Sequence, residues 1–213
     1  MELYQTIFSR RDVRHFKSDP LPSEVVKRIL LAAHHAGSVG FMQPWNFILI
    51  TDRNIRQEIK SVFSGLNETA AQNYAGARKE LYQSMKLEGI LESPLNICIT
   101  CDRTRNGPHV LGRNSMPDTD IYSTCCAIQN LWLAARSEGV GVGWVSIIDQ
   151  AKLKNLLNIP SHVLPIAYLC VGYPLEFKEK PMLEELNWEK RIDLTNLVYT
   201  NYWGTAPDWN LKT

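Results

Sequence analysis

No run of apolar residues in this chain approaches the ~20 that a membrane-spanning helix needs, so a membrane role is not expected. Charge of one sign is also missing. Lys and Arg number 23 against 22 Asp and Glu, a formal net charge of +1, which leaves no basic field to attract nucleic acid or an anionic lipid surface. The cysteines do not come in an even set. There are five, Cys98, Cys101, Cys125, Cys126 and Cys170, all in apolar stretches, and they read as reduced thiols of a cytoplasmic protein packed into a core. Met1-Glu2-Leu3-Tyr4-Gln5 lacks the basic start and apolar centre of a signal peptide. No Walker A sequence occurs, which disfavours nucleoside triphosphate binding, and Ser146 has no GxSxG elbow, which disfavours a serine hydrolase. His34, His35, His109 and His162 fall at no metal-ligand or triad spacing. Repeats and low-complexity segments are absent.

What the chain does have is the composition of a folded protein: 213 residues, 45% apolar and 21% charged, enough for one sizeable domain or a domain with a long tail. Residues 3–9 read as a short helix. Val25, Ile29, Leu30 and Ala33 recur at helical spacing, predicting a helix over 24–36 with Ser23 as its N-cap. A more polar helical stretch at 54–91 suggests a lid outside the main core. The strongest helix spans 120–138; its apolarity on almost every side predicts a central, covered element, stopped by Gly139. Apolar strands are expected at 46–51, 96–101, 142–147 and 165–171, the second buried on both faces, and Asp149 caps a short helix to Leu157. A 17-residue loop, 102–118, is long enough to suggest function. Residues 174–213 form a Trp-rich tail whose rings (Trp188, Trp203, Trp209) favour burial over the body or over a second subunit. Together these predict an α+β fold: a single domain, 1–213, with a central mixed sheet covered by helices and an extended C-terminal tail.

Three stretches carry candidate chemistry. Ser38-Val39-Gly40-Phe41-Met42-Gln43-Pro44-Trp45-Asn46-Phe47 joins a helix to a strand. Gly40 permits close approach, Gln43 and Asn46 offer amides that both donate and accept, and Phe41, Met42 and Trp45 offer apolar surface. A tight corner and a ligand site both fit it. Arg10-Arg11-Asp12-Val13-Arg14 places three guanidiniums within five residues. They are either a solvated surface run or a clamp for an anion such as phosphate. Asp12 there is subject to opposite effects, the arginines lowering its pKa and burial raising it. Gly139-Val140-Gly141-Val142-Gly143-Trp144-Val145-Ser146 follows a helix and opens a strand, the reverse of a dinucleotide fingerprint. It reads as a helix stop and glycine turn, although Gly143 and Ser146 can still present an N–H and a hydroxyl to a ligand. Cys98 and Cys101 lie in a strand, where i and i+3 face opposite sides.

These stretches, with Asn130-Leu131-Trp132-Leu133-Ala134-Ala135-Arg136, resemble the nitroreductase-like flavoproteins from about residue 8 to residue 204. Asp in RRDVR stands where ordinary members usually have Ser. That residue, SVGFMQPWNF, Lys86-Leu87-Glu88-Gly89-Ile90 and Cys101-Asp102-Arg103-Thr104-Arg105 with Gly107-Pro108-His109-Val110-Leu111-Gly112-Arg113 resemble the family's 5,6-dimethylbenzimidazole synthase branch. The resemblance implies an FMN-binding α+β homodimer with flavin at the subunit interface. It implies that reduced FMN is itself the substrate, fragmented with molecular oxygen to 5,6-dimethylbenzimidazole and D-erythrose 4-phosphate, and that a separate flavin reductase supplies it. The flavin-binding set so implied is Arg10, Arg11, Asp12, Val13, Arg14, Ser38, Gly40, Phe41, Met42, Gln43, Asn46, Gly143, Ser146 and Arg191. Arg10, Arg11 and Arg14 take the phosphate and ring edge, and Arg191 adds a phosphate contact. Ser38, Gln43 and Asn46 address the flavin edge, and Gly40 to Met42 shape the space for oxygen. Asp12 is the implied acid/base, and Ser146 is a flavin contact that assists carbon–carbon cleavage. Ala36-Gly37-Ser38 departs from the usual Ala-Pro-Ser, so this loop is expected to be less preorganised. An NAD(P)H-dependent nitroreductase that keeps its FMN, and a non-enzymatic flavin-binding protein, are the alternatives.

Overall fold

The computed structural model describes residues 1–209; the last four residues of the expected tail, 210–213, lie outside the described residues. The chain divides into two compact units, Met1–Phe177 and a second beginning at Lys178.

The first unit is built on four strands: β1 (Trp45–Ile50), β2 (Leu95–Asp102), β3 (Gly141–Val145) and β4 (Val163–Gly172), in the order β1-β2-β4-β3. Every neighbouring pair is antiparallel, so the sheet of this unit is not the mixed one the sequence suggests. The reason lies in β4. A strand–helix–strand run such as β2, α5 (Thr119–Ser137) and β3 reads as a parallel crossover, and β2 and β3 do run the same way. β4, last in sequence, inserts between them and pairs antiparallel with both.

Side chains alternate along β2 and β4. Ile97, Ile99, Leu169 and Val171 join one apolar cluster with Ile29 and Ala33 of α2 (Ser23–His34) and Ala127, Ile128 and Leu131 of α5. Cys98, Tyr168 and Cys170 face the other way. They pack with Ile59 and Phe63 of α3 (Arg53–Ala71) and Leu153 of α6 (Gln150–Leu156). The sheet is thus a middle layer between two helical layers, which is why β2 is buried on both faces.

Several expectations need correction. The 54–91 stretch is not one outlying helix. α3 ends at Ala71, α4 (Gly76–Ser84) restarts at a glycine with φ +53, and residues 85–94 run without regular structure. Ile59 and Phe63 make α3 a core helix rather than a lid. Ser23 is the first residue of α2, not its cap; Pro22 takes that place and no side chain caps it. Gly139 does end α5, with φ +74 and Val140 N–H reaching Ala135 O at 2.8 Å. α5 is covered on one face only. Tyr122, Cys125, Cys126 and Gln129, at helical spacing on its other face, are exposed, so Cys125 and Cys126 are not core residues as the sequence suggests. Helix α1 (Leu3–Ser9) exposes Leu3, Tyr4 and Phe8.

The second unit holds a short helix, α7 (Met182–Glu185), and a 3-10 turn at Leu194–Asn196. Trp188 is half-buried, but Trp203 is 90% exposed, its ring tilted by 48° against Tyr199 with centroids 4.9 Å apart, and Trp209 is exposed as well. The burial expected for these two rings is not met within the chain.

Candidate functional site

The arginine-rich segment runs beside β3. Asp12 forms a parallel bridge with Val142, and Val13 N–H donates to Val142 O at 3.0 Å. The glycines of β3 make this approach possible. A Cβ on Gly143 would collide with Val13 O, and one on Gly141 would press on the Val13 side chain at 2.9 Å. These glycines therefore seat the N-terminal segment; Gly143 itself pairs with Cys170 in the sheet.

Asp12 is held from two sides. Oδ1 accepts the Trp144 N–H at 2.9 Å, and Oδ2 pairs with Arg14 Nη2, which also donates to Trp144 O at 2.7 Å. One edge of the Asp12 carboxylate stays open, with 38% of the side chain exposed, whereas Arg14 is 11% exposed. Burial of its inner side raises the Asp12 pKa, opposed only in part by Arg14, the Trp144 N–H and Arg10. Nε and Nη1 of Arg14 are buried with no partner among the described residues, an arrangement that costs stability unless an acceptor is supplied.

Helix α5 grips the same segment with side chains one turn apart. Trp132 Nε1–H donates to Arg11 O at 3.3 Å, and the Arg10 guanidinium lies 4.4 Å from the Trp132 ring centroid. Arg136 Nε–H donates to Ser9 O at 3.1 Å while its guanidinium stacks 3.9 Å from Phe177. Burial, and then the nearby Arg11, lower the Arg136 pKa. Trp132 and Arg136 are site-supporting residues that the sequence reading left without a role. Their spacing of i, i+4 on the face of α5 next to the segment is the signal that was available. Ser146 follows β3 two residues after Trp144 and is exposed.

The second group of expected residues lies at the far edge of the sheet. Val39–Phe41 form a 3-10 turn, with Gly40 at φ +57, and Phe41 and Gln43 also have positive φ, +51 and +46, a strain of about 1 kcal/mol or more at each non-glycine position. Ser38 Oγ accepts the Gln43 N–H at 3.1 Å, and Val39 N–H donates to Ser123 Oγ of α5 at 3.1 Å. Phe41 is exposed, but Met42 is only 1% exposed and faces the core. Gly40 approaches protein: a Cβ there would lie 2.6 Å from Leu111 O. Asn46 donates to Thr100 Oγ1 at 3.2 Å and accepts from Arg105 Nη2 at 2.6 Å.

The structure brings Arg10 to Arg14, Gly143 and Ser146 into one neighbourhood and Ser38 to Asn46 into another. β1 and β3 are opposite edges of the sheet, roughly 14 Å apart at usual strand spacing. Along α5, Ser123 touches the second group and Trp132 the first, about 14 Å apart at 1.5 Å per residue. The open face of α5, with Cys125, Cys126 and Gln129, lies between them. Arg191 belongs to the second unit and is exposed.

A groove of about 940 Å³ opens between α2 and the edge strand β1, lined by Leu21, Val26, Leu30, Trp45 and Phe47 with Gln43, Asn46 and Arg105 at its polar end. It is large enough for a cofactor but lacks the charge for a phosphorylated one. Arg105 is already engaged with Asn46, and Lys27 is 75% exposed. Two unsatisfied guanidinium nitrogens, Nε and Nη1 of Arg14, lie on the other edge. Buried thiols offer no chemistry: burial pushes Cys98 and Cys170 up to about 12 and Cys101 up to about 11. Among the described residues no cluster of His, Cys, Asp and Glu could hold a metal, and no helix is long and apolar enough to cross a membrane.

Known proteins agree with this architecture. The nitroreductase family profile matches residues 7–173. A Rhodospirillum rubrum protein named 5,6-dimethylbenzimidazole synthase is 43% identical over 182 residues, covering 85% of this chain and 86% of its own length. A Rhodobacter capsulatus protein of the same name is 38% identical, covering 86% and 88%. Among solved structures, an oxidized iodotyrosine deiodinase bound to FMN and 3-iodo-L-tyrosine superposes with a TM-score of 0.70 at 26% identity, covering 84% of this chain and 93% of that one.

Proposed function

The chain belongs to the nitroreductase family, and from that premise we propose that it is an oxidoreductase acting as a 5,6-dimethylbenzimidazole synthase. Its substrate is reduced FMN, which molecular oxygen fragments to 5,6-dimethylbenzimidazole, the lower ligand of cobalamin, and D-erythrose 4-phosphate. The observation that carries this reading is Asp12, a carboxylate with a raised pKa fixed between Arg14 and the Trp144 N–H where ordinary family members have Ser.

The residues present fit FMN. The orphaned Nε and Nη1 of Arg14 need an acceptor. Arg10, Arg11 and Arg14 hold the phosphate and ring edge, with Val13 and Gly143 beneath them. Bound reduced FMN supplies both the electrons and the carbon skeleton of the product. Asp12 takes and returns protons at its open carboxylate edge, and a pKa shifted towards neutrality makes that exchange efficient. Ser146 donates its hydroxyl to the flavin.

Ser38, Gly40, Phe41, Gln43 and Asn46 complete the pocket from a second copy of the chain, while Met42, 1% exposed, anchors the loop in its own core rather than facing the pocket. The two groups sit at opposite ends of the open α5 face. Pairing two such faces about a two-fold axis apposes the loop of one copy to the arginines of the other. The enzyme is thus a cytoplasmic homodimer with flavin at its interface, served by a separate flavin reductase.

The test is to mix the protein with chemically reduced FMN in air and follow products by mass. Formation of 5,6-dimethylbenzimidazole over many turnovers is expected. Intact FMN turning over with NADPH and a nitroaromatic would establish the ordinary nitroreductase instead, and no affinity for FMN would remove both.

A further inference from the structure

We propose that Arg105 is a positioning residue that locks the strained 38–46 loop into one shape, using the 102–113 loop as its frame. The inference rests on the reading above only in treating that loop as part of the flavin pocket. One planar guanidinium reaches two points of the loop together: Nη1 donates to Gln43 O at 3.3 Å and Nη2 to Asn46 Oδ1 at 2.6 Å. Nε faces Asp102 Oδ2 at 3.5 Å, and the Asp102 N–H donates to Pro44 O at 2.8 Å. Arg105 therefore joins the strand end to the loop through geometry that only a rigid fork supplies.

The rest of the 102–113 segment closes on the same target. Gly40 is packed so tightly under Val110 and Leu111 that a Cβ would sit 2.6 Å from each, and a Cβ on Gly112 would meet Val39 at 2.8 Å. Both glycines have positive φ, +57 and +87. The frame is itself anchored: Arg103 pairs with Asp118 at 3.0 Å and with the buried Asp120 at 3.1 Å, and Arg113 donates to Arg103 O at 3.1 Å. Phe41 and Gln43, both non-glycine residues at positive φ, hold a conformation that free chain avoids. Their own side chains do little to enforce it: Phe41 is exposed, and Gln43 Nε2 makes only a 3.4 Å contact with Phe41 O. The enforcing contacts come from the backbone of the loop and from Arg105. The loop is thus built in advance of any ligand, and flavin need not order it on binding.

The experiment compares wild type, Arg105→Ala and Arg105→Lys by amide hydrogen exchange of the FMN-free protein, thermal unfolding and FMN titration. Exchange of the Val39 to Gln43 amides should quicken at least tenfold in Arg105→Ala, with exchange of β2 and β4 and the unfolding midpoint unchanged. FMN should bind about tenfold more weakly. Arg105→Lys should resemble Arg105→Ala, because an ammonium cannot serve Gln43 O and Asn46 Oδ1 as a fork. Unchanged loop exchange in Arg105→Ala, exchange that rises evenly over the whole chain, or full rescue by lysine would each overturn the proposal. If wild type binds no FMN, the functional reading fails while the exchange comparison still decides the lock.

Discussion

At Asp12, two opposing effects meet on one carboxylate, and the balance has a measurable sign. Burial raises its pKa in the folded chain above the usual 3.8 despite Arg14. The folded state therefore binds the proton more tightly than the unfolded state does. Its contribution to stability is present at low pH and is lost as pH rises from about 3.8 through the raised value. Asp12→Asn does not titrate, so in urea unfolding the stability of the variant should gain on that of wild type as pH goes from 4 to 8. The same variant should keep FMN binding and lose product formation by about 10²–10⁴-fold, the usual worth of a positioned acid/base; unaffected turnover would remove Asp12 from the chemistry. Gly143 and Gly139 make a second comparison. Gly143→Ala must displace the Val13 carbonyl and should cost about 3 kcal/mol together with the arginine clamp. Gly139→Ala meets open space at φ +74 and should cost about 1 kcal/mol, with FMN binding intact. The sequence marked both glycines as punctuation. It could not mark the difference, because the carbonyl that fills the place of a Gly143 side chain comes from 130 residues earlier.

At the scale of elements, the strands were legible to within two residues, because uninterrupted apolar runs bounded by Pro, Gly and Asn leave few alternatives. Their pairing was not, since period-2 burial says which faces are covered and nothing about neighbours. The break between α3 and α4 was missed because Gln72 to Ala75 keeps a helical composition; the positive φ of Gly76 is a property of the fold rather than of local preference. α5 shows a different limit. Its two apolar stripes were both visible, but a sequence does not say whether the second is covered by the same chain. The cysteines on that stripe convert the question into an assay. With a small disulfide reagent, Cys98, Cys101 and Cys170 should stay silent in native protein, being buried with raised pKa values. Cys125 and Cys126 should be protected in the dimer and react on dilution to monomer; prompt labelling at high concentration would place the interface elsewhere. A Cβ added at Gly37, the residue expected to loosen the 38–47 loop, would meet nothing within 4 Å. The loop is held by hydrogen bonds from Arg105 and to Ser38.

For the whole molecule, the separation of the two residue groups along α5 makes a prediction that neither group makes alone. Arg14→Ala and Gln43→Ala proteins should each be inactive, one lacking the anion clamp and the other the loop contact. Unfolded and refolded together in equal amounts, they should recover about a quarter of wild-type activity, since half the dimers are mixed and each holds one intact site. Recovery of none would mean that both groups serve the same pocket within one chain. The resemblance implied flavin at a subunit interface; the division of its residues into two groups is seen in β1 and β3 being opposite edges of the sheet.

The insertion of β4 between β2 and β3 also sets a timetable. The first strand pair can close early, because β1 and β2 are neighbours in both sequence and sheet. β3 cannot join them, since its partner has not yet left the ribosome when it emerges, and at 5–20 residues per second β4 follows by about one to six seconds. During that interval the seat for Val13 is a lone strand with no sheet behind it. The seat of the arginine segment therefore depends on the last strand to be made, and a chain truncated near residue 160 would leave β2 and β3 without the strand that pairs with both.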